Sequence, residues 1–171
     1  MRILKYILIT IVSIIALALI LAIFAPKEFD SRQEIVINRS KTEVFDYLKY
    51  VKNQDNYGVW QLSDPHMDKQ YEGTDGTVGF KYSWNSEVVG KGSQTIKLID
   101  EGNRIETVLD FGFGEPAISF FTTEEPALGQ TKVTWGIKGK TPYPFNLMNL
   151  FYSMDGDFKE GLQNLKAILE K

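Results

Sequence analysis

The sequence predicts an α+β protein in which an antiparallel sheet wraps around a long C-terminal helix, preceded by one N-terminal transmembrane helix. Three observations predict this class. The first 25 residues are almost wholly apolar, the middle of the chain alternates apolar and polar residues, and the C-terminal part returns to a helical period. We therefore expect a membrane anchor over residues 1–26 and one domain over residues 27–171.

The N-terminal segment is long enough to cross a bilayer. Tyr6 to Ala25 is an uncharged run of 20 residues, which as a helix spans about 30 Å, the thickness of the hydrocarbon core. One alternative is a cleaved signal peptide with Ala16-Leu17-Ala18 as its cleavage site. The apolar run continues past that site, which favours an anchor. A buried core helix is the other alternative, and it is disfavoured because every face of the segment is apolar.

Basic residues at the N-terminus predict the orientation of this anchor. Arg2 and Lys5 favour a cytoplasmic N-terminus, which places the domain on the extracytoplasmic side of the cell membrane. Lys27 and Arg32 lie on the other side of the apolar run and weaken that bias. The expected localisation is therefore a single-pass membrane protein with an extracytoplasmic domain.

Composition excludes several functional classes for the domain. Without the first 25 residues the chain has 17 basic and 22 acidic side chains, so the remainder carries a charge of −5. Such a domain repels phosphate backbones, so no nucleic-acid partner is expected. The absence of cysteine excludes disulfides and thiolate chemistry, and a single histidine, His66, excludes a multi-histidine metal site. No catalytic motif is visible, and we expect neither a metal nor a cofactor.

The domain opens with a strand and a short helix. Glu28 to Asn38 ends in a β-branched run, which predicts a first strand. Ser40-Lys41-Thr42-Glu43 then forms a capping box, in which the serine hydroxyl and the glutamate carboxylate each accept from a backbone N–H of the first turn. Apolar residues recur at helical spacing over residues 41–51, so a short amphipathic helix follows. Residues 52–65 are expected to form a helical turn and a loop.

From His66 onward the period changes to two, which predicts about six short antiparallel strands with one covered face. The turns between the strands hold glycine with aspartate, asparagine or glutamine. The alternating residues that define these strands are Phe80, Tyr82 and Trp84; Gln94, Ile96 and Leu98; Ile105, Thr107, Leu109 and Phe111; Ile118, Phe120 and Thr122; and Thr131, Val133, Trp135 and Ile137.

The C-terminal part predicts a long amphipathic helix. Apolar residues from Leu147 to Leu169 step by three and four, which is the spacing of one helix face. Gly156, between two aspartates, is expected to kink or interrupt this helix. An antiparallel sheet wrapped around a terminal helix leaves a space between the two, and that space is either filled core or an open cavity.

This order of elements resembles the helix-grip fold of the START-like (SRPBCC) superfamily, specifically its polyketide cyclase/dehydrase and lipid-transport type. The resemblance covers nearly all of residues 28–170 and implies a hydrophobic pocket between the sheet and the C-terminal helix. It supplies no family-wide catalytic motif. The segments that carry it are the strand and capping box over 35–48, Trp60, Asp64-Pro65, Tyr71-Glu72-Gly73, Gly79 to Trp84, Gly90-Lys91-Gly92, Thr131 to Trp135, and 158–166.

Aromatic residues on the predicted strands are the candidate ligand-binding residues. Their rings could line a pocket for an apolar or amphipathic ligand, and their hydroxyl and indole N–H groups could orient it. Ordinary core packing is the alternative for any single ring. The candidates are Tyr71, Tyr82, Trp84, Phe111, Phe113, Phe120 and Trp135, with Met148 and Phe151 closing one end.

Three functions remain open from the sequence. The first is a membrane-tethered domain that binds a hydrophobic or lipid-like small molecule. The second is an enzyme of the cyclase or hydrolase kind, which needs an inward-pointing group with a shifted pKa, and Tyr82 or Glu106 is the first to examine. Glu106 alternates onto the polar face with Arg104 and Asp110, which argues against it. The third is a protein-interaction module whose pocket has closed into plain core.

Overall fold

The computed structural model describes residues 2–171, so Met1, the first residue of the expected anchor, lies outside the described residues. The helices are α1 (Arg2–Phe24), α2 (Lys41–Lys49), α3 (Val59–Ser63) and α4 (Asp155–Leu169), with 3-10 helices at Val51–Asn56 and Phe145–Leu150. The strands are β1 (Glu28–Ile37), β2 (Asp68–Glu72), β3 (Lys81–Ser86), β4 (Gly90–Asp100), β5 (Arg104–Asp110), β6 (Ala117–Ala127) and β7 (Gln130–Lys140).

Within residues 2–171 the seven strands form one antiparallel sheet in the order β1-β7-β6-β5-β4-β3-β2. Strands β2 to β7 pair with their neighbours in sequence, and β1 pairs with β7 along its whole length, from Glu28–Lys140 to Ile37–Thr131. The predicted α+β class is therefore confirmed. Strand β2 is not among the segments that alternation identifies, because its residues are mostly polar and exposed.

The short helix α2 begins at the predicted cap. The hydroxyl of Ser40 accepts a hydrogen bond from the backbone N–H of Glu43 at 3.4 Å, and the Glu43 carboxylate pairs with Arg39 at 3.5 Å. Val44, Phe45 and Leu48 are buried on its inner face. This helix therefore covers the concave face of the sheet next to the end of β1.

The predicted C-terminal helix is interrupted, as expected, but the break lies at residues 151–154 and not at Gly156. The part before the break is the 3-10 helix Phe145–Leu150, and Gly156 lies within the first turn of α4. The hydroxyl of Ser31 on β1 donates to the Asp155 carboxylate at 2.6 Å, and this bond fixes the start of α4 against the sheet. Phe158 and Leu162 are then buried against the concave face.

The two ends of the sheet differ, and we name them by what they adjoin. The anchor end holds the start of β1, the β3–β4 turn, the β5–β6 loop and the end of β7, next to the end of α1. The distal end holds the end of β1, α2 and the β4–β5 and β6–β7 turns. Its core is closely packed around Ile37, Phe45 and Leu165, each at most 2% exposed.

Helix α1 is long and apolar enough to span a membrane, and its side chains point outward with only Ala22 buried. The segment after β7 covers its last turn. The Asn146 amide donates to the carbonyls of Ala22 and Ala25 at 2.7 and 2.9 Å. These bonds satisfy carbonyl groups that the end of a helix leaves without partners.

Candidate functional site

A cavity of about 200 Å³ lies between the concave face of the sheet and the helices that cover it. Strands β3 to β7 form its floor, and α3, the start of α4 and the segment before α4 form its roof. Its residues are mainly aromatic or aliphatic. They are Gln54, Trp60, Gln61, Met67, Tyr82, Trp84, Val89, Gln94, Leu109, Phe111, Ser119, Trp135, Ile137, Tyr152, Met154 and Phe158.

The inner wall of the cavity is a cluster of packed rings around Trp135. Its ring centroid lies 4.9 Å from that of Phe121 and 5.0 Å from that of Phe158. Gly161 on α4 allows this approach, because an added Cβ would lie 2.6 Å from the Trp135 ring. Trp60 completes the cluster at 5.4 Å from Phe158. These rings separate the cavity from the packed core of the distal end.

The opposite wall faces the anchor end and is partly open to solvent. Tyr82 and Trp84 follow one another on the inner face of β3, with ring centroids 5.5 Å apart. Trp84 packs edge-on against Phe111 at 6.3 Å, and Phe111 is 46% exposed. Gly92 pairs with Trp84 across β3 and β4, and its missing side chain leaves room for the indole ring. This wall therefore forms the mouth of the cavity.

Several neutral polar residues line the cavity. Gln94 is 4% exposed and donates from its amide to the Thr107 hydroxyl at 3.0 Å. Ser119 donates to the Gly136 carbonyl at 3.1 Å. The side-chain oxygen of Gln61 is buried without a hydrogen-bond partner. Such a group costs about 1–3 kcal/mol unless it is satisfied, so it favours a ligand that donates a hydrogen bond.

The tyrosines of the site stay protonated, so they add no charge to it. Burial, with the nearby Asp55 carboxylate as a second cause, raises the pKa of Tyr82 well above its ordinary value. Burial also raises the pKa of Tyr152 at the mouth, helped by Asp157. Both phenols are therefore neutral at physiological pH. Among the described residues that line the cavity, none carries a formal charge.

Glu106, the carboxylate considered for an enzymatic role, faces away from this cavity. It lies on the convex side of β5, and its carboxylate accepts from the Arg104 guanidinium at 2.8 Å. Tyr82 does lie in the cavity, where its hydroxyl donates to the Met67 sulfur at 3.3 Å. Because a raised pKa makes this phenol a weaker acid at neutral pH, it is suited to donating a hydrogen bond and not to acting as a base.

The structure brings four of the nine candidate residues into the cavity. Tyr82, Trp84, Phe111 and Trp135 line it. Tyr71 lies beside it on the edge strand β2, stacked on Tyr82 with centroids 5.4 Å apart. Its hydroxyl donates to Asp55 at 3.2 Å, and burial together with Asp55 raises its pKa to about 12.

Phe120 lies on the convex face of the sheet, opposite the cavity. The Arg104 guanidinium lies 4.5 Å from its ring centroid, and the ring packs where Gly136 has no side chain. In β6 both sets of alternate positions hold apolar residues, so alternation could not distinguish the two faces. The inward residues are Ser119 and Phe121, and Phe120 is buried by a cation–π contact instead.

The other three candidates lie at the anchor end, outside the cavity. Phe113 and Met148 line a neighbouring groove of about 470 Å³, which also touches Pro26 at the end of the apolar helix. Phe151 is 85% exposed and projects from the segment between the second 3-10 helix and α4. The groove and the cavity share Tyr152 and Met154, so the two spaces adjoin one another at these residues.

Sequence reasoning missed most of the roof of the cavity. Gln54, Gln61 and Met67 lie in short helical and loop segments that have no periodicity to follow. Leu109 and Ile137 could have been found, because each is two residues from a candidate on the same strand face. Alternation therefore identifies the floor of such a cavity better than its roof.

Comparisons with known proteins agree with this architecture. No family model and no curated protein matches the sequence. Solved structures do match: truncated norcoclaurine synthase from Thalictrum flavum gives a TM-score of 0.64 at 10% identity, over 84% of this chain and 95% of that one. Protein CV1439 from Chromobacterium violaceum gives 0.58 at 14% identity, over 85% and 99%.

A protein from Thermobifida fusca gives a TM-score of 0.62 at 16% identity, over 80% of this chain and 90% of that one. These neighbours are Bet v1-like helix-grip proteins of the SRPBCC superfamily. The chain has the helix-grip fold. At these identities the likeness establishes the fold alone, and the chemistry has to be argued from the cavity.

Proposed function

We propose that this protein is a membrane-tethered domain that binds a neutral, largely apolar small molecule, such as a lipid-like amphiphile, in the cavity between the sheet and α4. The observation that carries the proposal is the uncharged wall of that cavity, where aromatic rings surround a few buried amide and hydroxyl groups. An ion would lose its hydration there without gaining a partner of opposite charge. A neutral ligand has no such cost.

The apolar wall supplies the affinity, and the polar groups supply orientation. Burial of apolar surface contributes about 25 cal/mol per Å², so a ligand that buries about 200 Å² gains about 5 kcal/mol. The unpartnered oxygen of Gln61 and the amide of Gln94 are available to a hydroxyl or amide group of the ligand. An alcohol or an amide attached to an apolar body fits this arrangement.

The enclosed volume also sets the size of the ligand. A cavity of about 200 Å³ is smaller than the ligand pockets of about 300–1,000 Å³ found in most proteins. The adjoining groove lies between the cavity and Pro26, and we infer that an elongated molecule occupies both. A domain whose cavity stays empty would instead be an interaction module with a closed core, and the experiment below distinguishes the two.

The apolar helix α1 is proposed to hold residues 27–171 at a membrane surface, with the N-terminus cytoplasmic. Its length and composition support a membrane span. Tethering restricts the search for a membrane-dissolved ligand to a surface and raises its effective concentration. The signal-peptide alternative predicts a mature chain that lacks the first residues, so the intact mass of the membrane-purified protein tests it.

Native mass spectrometry of the full chain, purified from membranes in mild detergent, tests ligand binding. We expect a co-purifying neutral molecule that is released on unfolding. The variant Ser119→Phe fills the cavity and should lose this mass, whereas Ile118→Phe, on the adjacent residue of the convex face, should keep it. A wild-type protein without any bound molecule, or equal retention by both variants, would contradict the proposal.

A further inference from the structure

The anchor end of the domain carries a set of exposed apolar side chains, which we call the apolar rim. It consists of Thr141–Met154, the Phe111–Gly114 loop and Val88 in the β3–β4 turn. Phe113 and Phe145 are 58% and 48% exposed, and they pack edge-on with ring centroids 4.9 Å apart. Met148 is 60% exposed and Phe151 is 85% exposed. In a domain surrounded by water such a surface marks an interaction site.

The two main segments of the rim have no charge at all. Thr141–Met154 is a stretch of 14 residues without an acidic or basic side chain, and Phe111–Gly114 is likewise neutral. Charged residues are 24% of the whole chain, so a neutral stretch of this length is unusual here. It also includes Tyr143 and Tyr152, and tyrosine is enriched where proteins meet the headgroup region of membranes.

Hydrogen bonds fix the depth of the rim relative to the apolar helix. The Tyr143 hydroxyl donates to the Leu19 carbonyl at 3.3 Å, and the Asn149 amide donates to the Pro26 carbonyl at 2.9 Å. Leu19 lies five residues before the end of α1 at Phe24, which is about 7.5 Å along a helix axis at 1.5 Å per residue. The rim therefore overlaps the last turns of the span instead of standing above them.

The mouth of the cavity opens inside this rim. Tyr152 and Met154 line both the cavity and the groove, and the groove runs to Pro26. Phe111 belongs at once to the rim and to the cavity wall. A molecule leaving the cavity through its mouth therefore meets the exposed rings of the rim before it meets water.

The distal end exposes fewer large apolar side chains, and among its described residues no pair of them packs ring against ring. Leu128 is 97% exposed in the β6–β7 turn, and Val36 and Leu98 are 38% and 41% exposed. Around Leu128, Gln130 bonds to Asn38 at 3.0 Å, and Lys41 bonds to Asn103 at 2.8 Å. Exposed apolar groups are thus concentrated at the end of the domain that adjoins the span.

We propose that the apolar rim inserts into the interfacial layer of the bilayer that α1 crosses, so that the mouth of the cavity opens onto lipid. This inference rests on the proposed membrane anchor and deepens the proposed ligand site. Amphipathic protein segments bury their apolar faces about 5–10 Å into the headgroup and acyl boundary, which matches the overlap between Tyr143 and Leu19. The ligand class that follows is a neutral amphiphile dissolved in the membrane, which exchanges with the cavity without crossing water.

The absence of cysteine allows a direct test with the full chain. Phe151→Cys and Leu128→Cys each introduce one thiol at a highly exposed apolar position, the first on the rim and the second at the distal end. Each variant is labelled with an environment-sensitive fluorophore and reconstituted into vesicles of phosphatidylcholine and phosphatidylglycerol. Emission is then measured with brominated lipids in the bilayer and, separately, with iodide in the water.

We expect shallowly brominated lipids to quench the label at position 151 about twofold, because an interfacial residue lies within contact distance of the bromines. Iodide should quench only the label at position 128. Quenching of position 151 by iodide and not by lipid would overturn the proposal. Protection of position 151 from both quenchers would also overturn it, because another protein surface would then cover the rim.

Two controls separate this inference from the function on which it rests. Resistance of the labelled chains to extraction by alkaline carbonate reports the anchor alone, and ligand retention in native mass spectrometry reports the cavity alone. Rim insertion with an empty cavity would refute ligand binding and support insertion of the rim. A bound ligand with a water-exposed position 151 would support ligand binding and refute insertion of the rim. Circular dichroism shows that each variant is folded before labelling.

Discussion

At the distal end of the sheet, α2 and the last turns of α4 pack on the sheet and form a closed core of aliphatic and aromatic side chains. Ile37 and Leu165 are 0% exposed there. At the anchor end the same strands continue, yet the space under the start of α4 holds a cavity of about 200 Å³ and the surrounding loops expose apolar rings. Trp135 and its ring neighbours lie between the two. One sheet therefore combines a part that supplies stability with a part that leaves room for a ligand.

The largest difference between the two ends should appear in stability. Leu165→Ala leaves a void in the closed core and should lower the free energy of unfolding by about 2–5 kcal/mol. Ile168→Ala, on a partly exposed position of the same helix, is the matched control and should cost less. Urea unfolding of the full chain in detergent micelles measures both. A cost below about 1 kcal/mol for Leu165→Ala would show that the distal end is not the stable part.

The next largest effect is expected at the mouth of the cavity. Gly92→Val places a Cβ 2.4 Å from the Trp84 ring, so the indole has to move and the opening changes shape. We expect a stability cost of about 1–3 kcal/mol together with loss of the co-purifying ligand. Lys91→Val, on the opposite face of the same strand, should leave the ligand bound. Native mass spectrometry compares the two, and unchanged ligand in the Gly92 variant would contradict this assignment of the mouth.

A local effect is expected where the anchor end meets α1. Asn146→Ala removes two hydrogen bonds to the carbonyls of Ala22 and Ala25. Loss of these bonds should destabilise the contact between α1 and the domain by about 1–3 kcal/mol, because it leaves buried acceptors unsatisfied. The effect should be confined to that contact. Hydrogen exchange of residues 22–27 should become faster while the sheet stays protected. Asn149→Ala, which loses one bond to Pro26, should give a smaller change. Equal protection from hydrogen exchange in the wild type and the Asn146 variant would show that this side chain does not hold the end of α1 against the domain.

The smallest effect concerns pH and the edge strand β2. Burial and the Asp55 carboxylate raise the pKa of Tyr71 in the folded chain to about 12, from an ordinary value of about 10. Between these two values the unfolded chain releases the phenol proton and the folded chain keeps it, so stability falls as pH rises. Tyr71→Phe should reduce the fall in the free energy of unfolding between these two pH values. Urea unfolding at a series of alkaline pH values measures the slope, and an identical slope in both proteins would refute the account.

The sequence predicted most of the architecture because most of its elements obey a local rule. The Ser40 cap, the alternation in β3 to β7 and the apolar run of α1 all depend on neighbouring residues. The candidate site was harder to predict, as Phe120 shows. Apolar residues occupy both sets of alternate positions in β6, and tertiary contacts, of Phe120 with Arg104 and of Phe121 with Trp135, decide which ring faces outward.

The roof of the cavity and the break in the C-terminal helix depend on contacts between distant residues. Asp155 begins α4 at the position where Ser31 of β1 donates to it, 124 residues away in sequence. Gln54 and Trp60 reach the cavity from short helical segments whose direction is set by packing against the sheet and α4. No local pattern contains these contacts, so the sequence could only predict a space between sheet and helix.

We propose that an apolar ligand enters the domain at the anchor end and at no other part. The most direct test of this proposal is photo-crosslinking of the full chain in membranes with a neutral fatty alcohol that carries a diazirine, followed by peptide mapping. We predict adducts on residues at the mouth, such as Trp84, Phe111 and Tyr152, which Ser119→Phe abolishes and Ile118→Phe retains. Adducts confined to α1 or to the distal end would contradict the account.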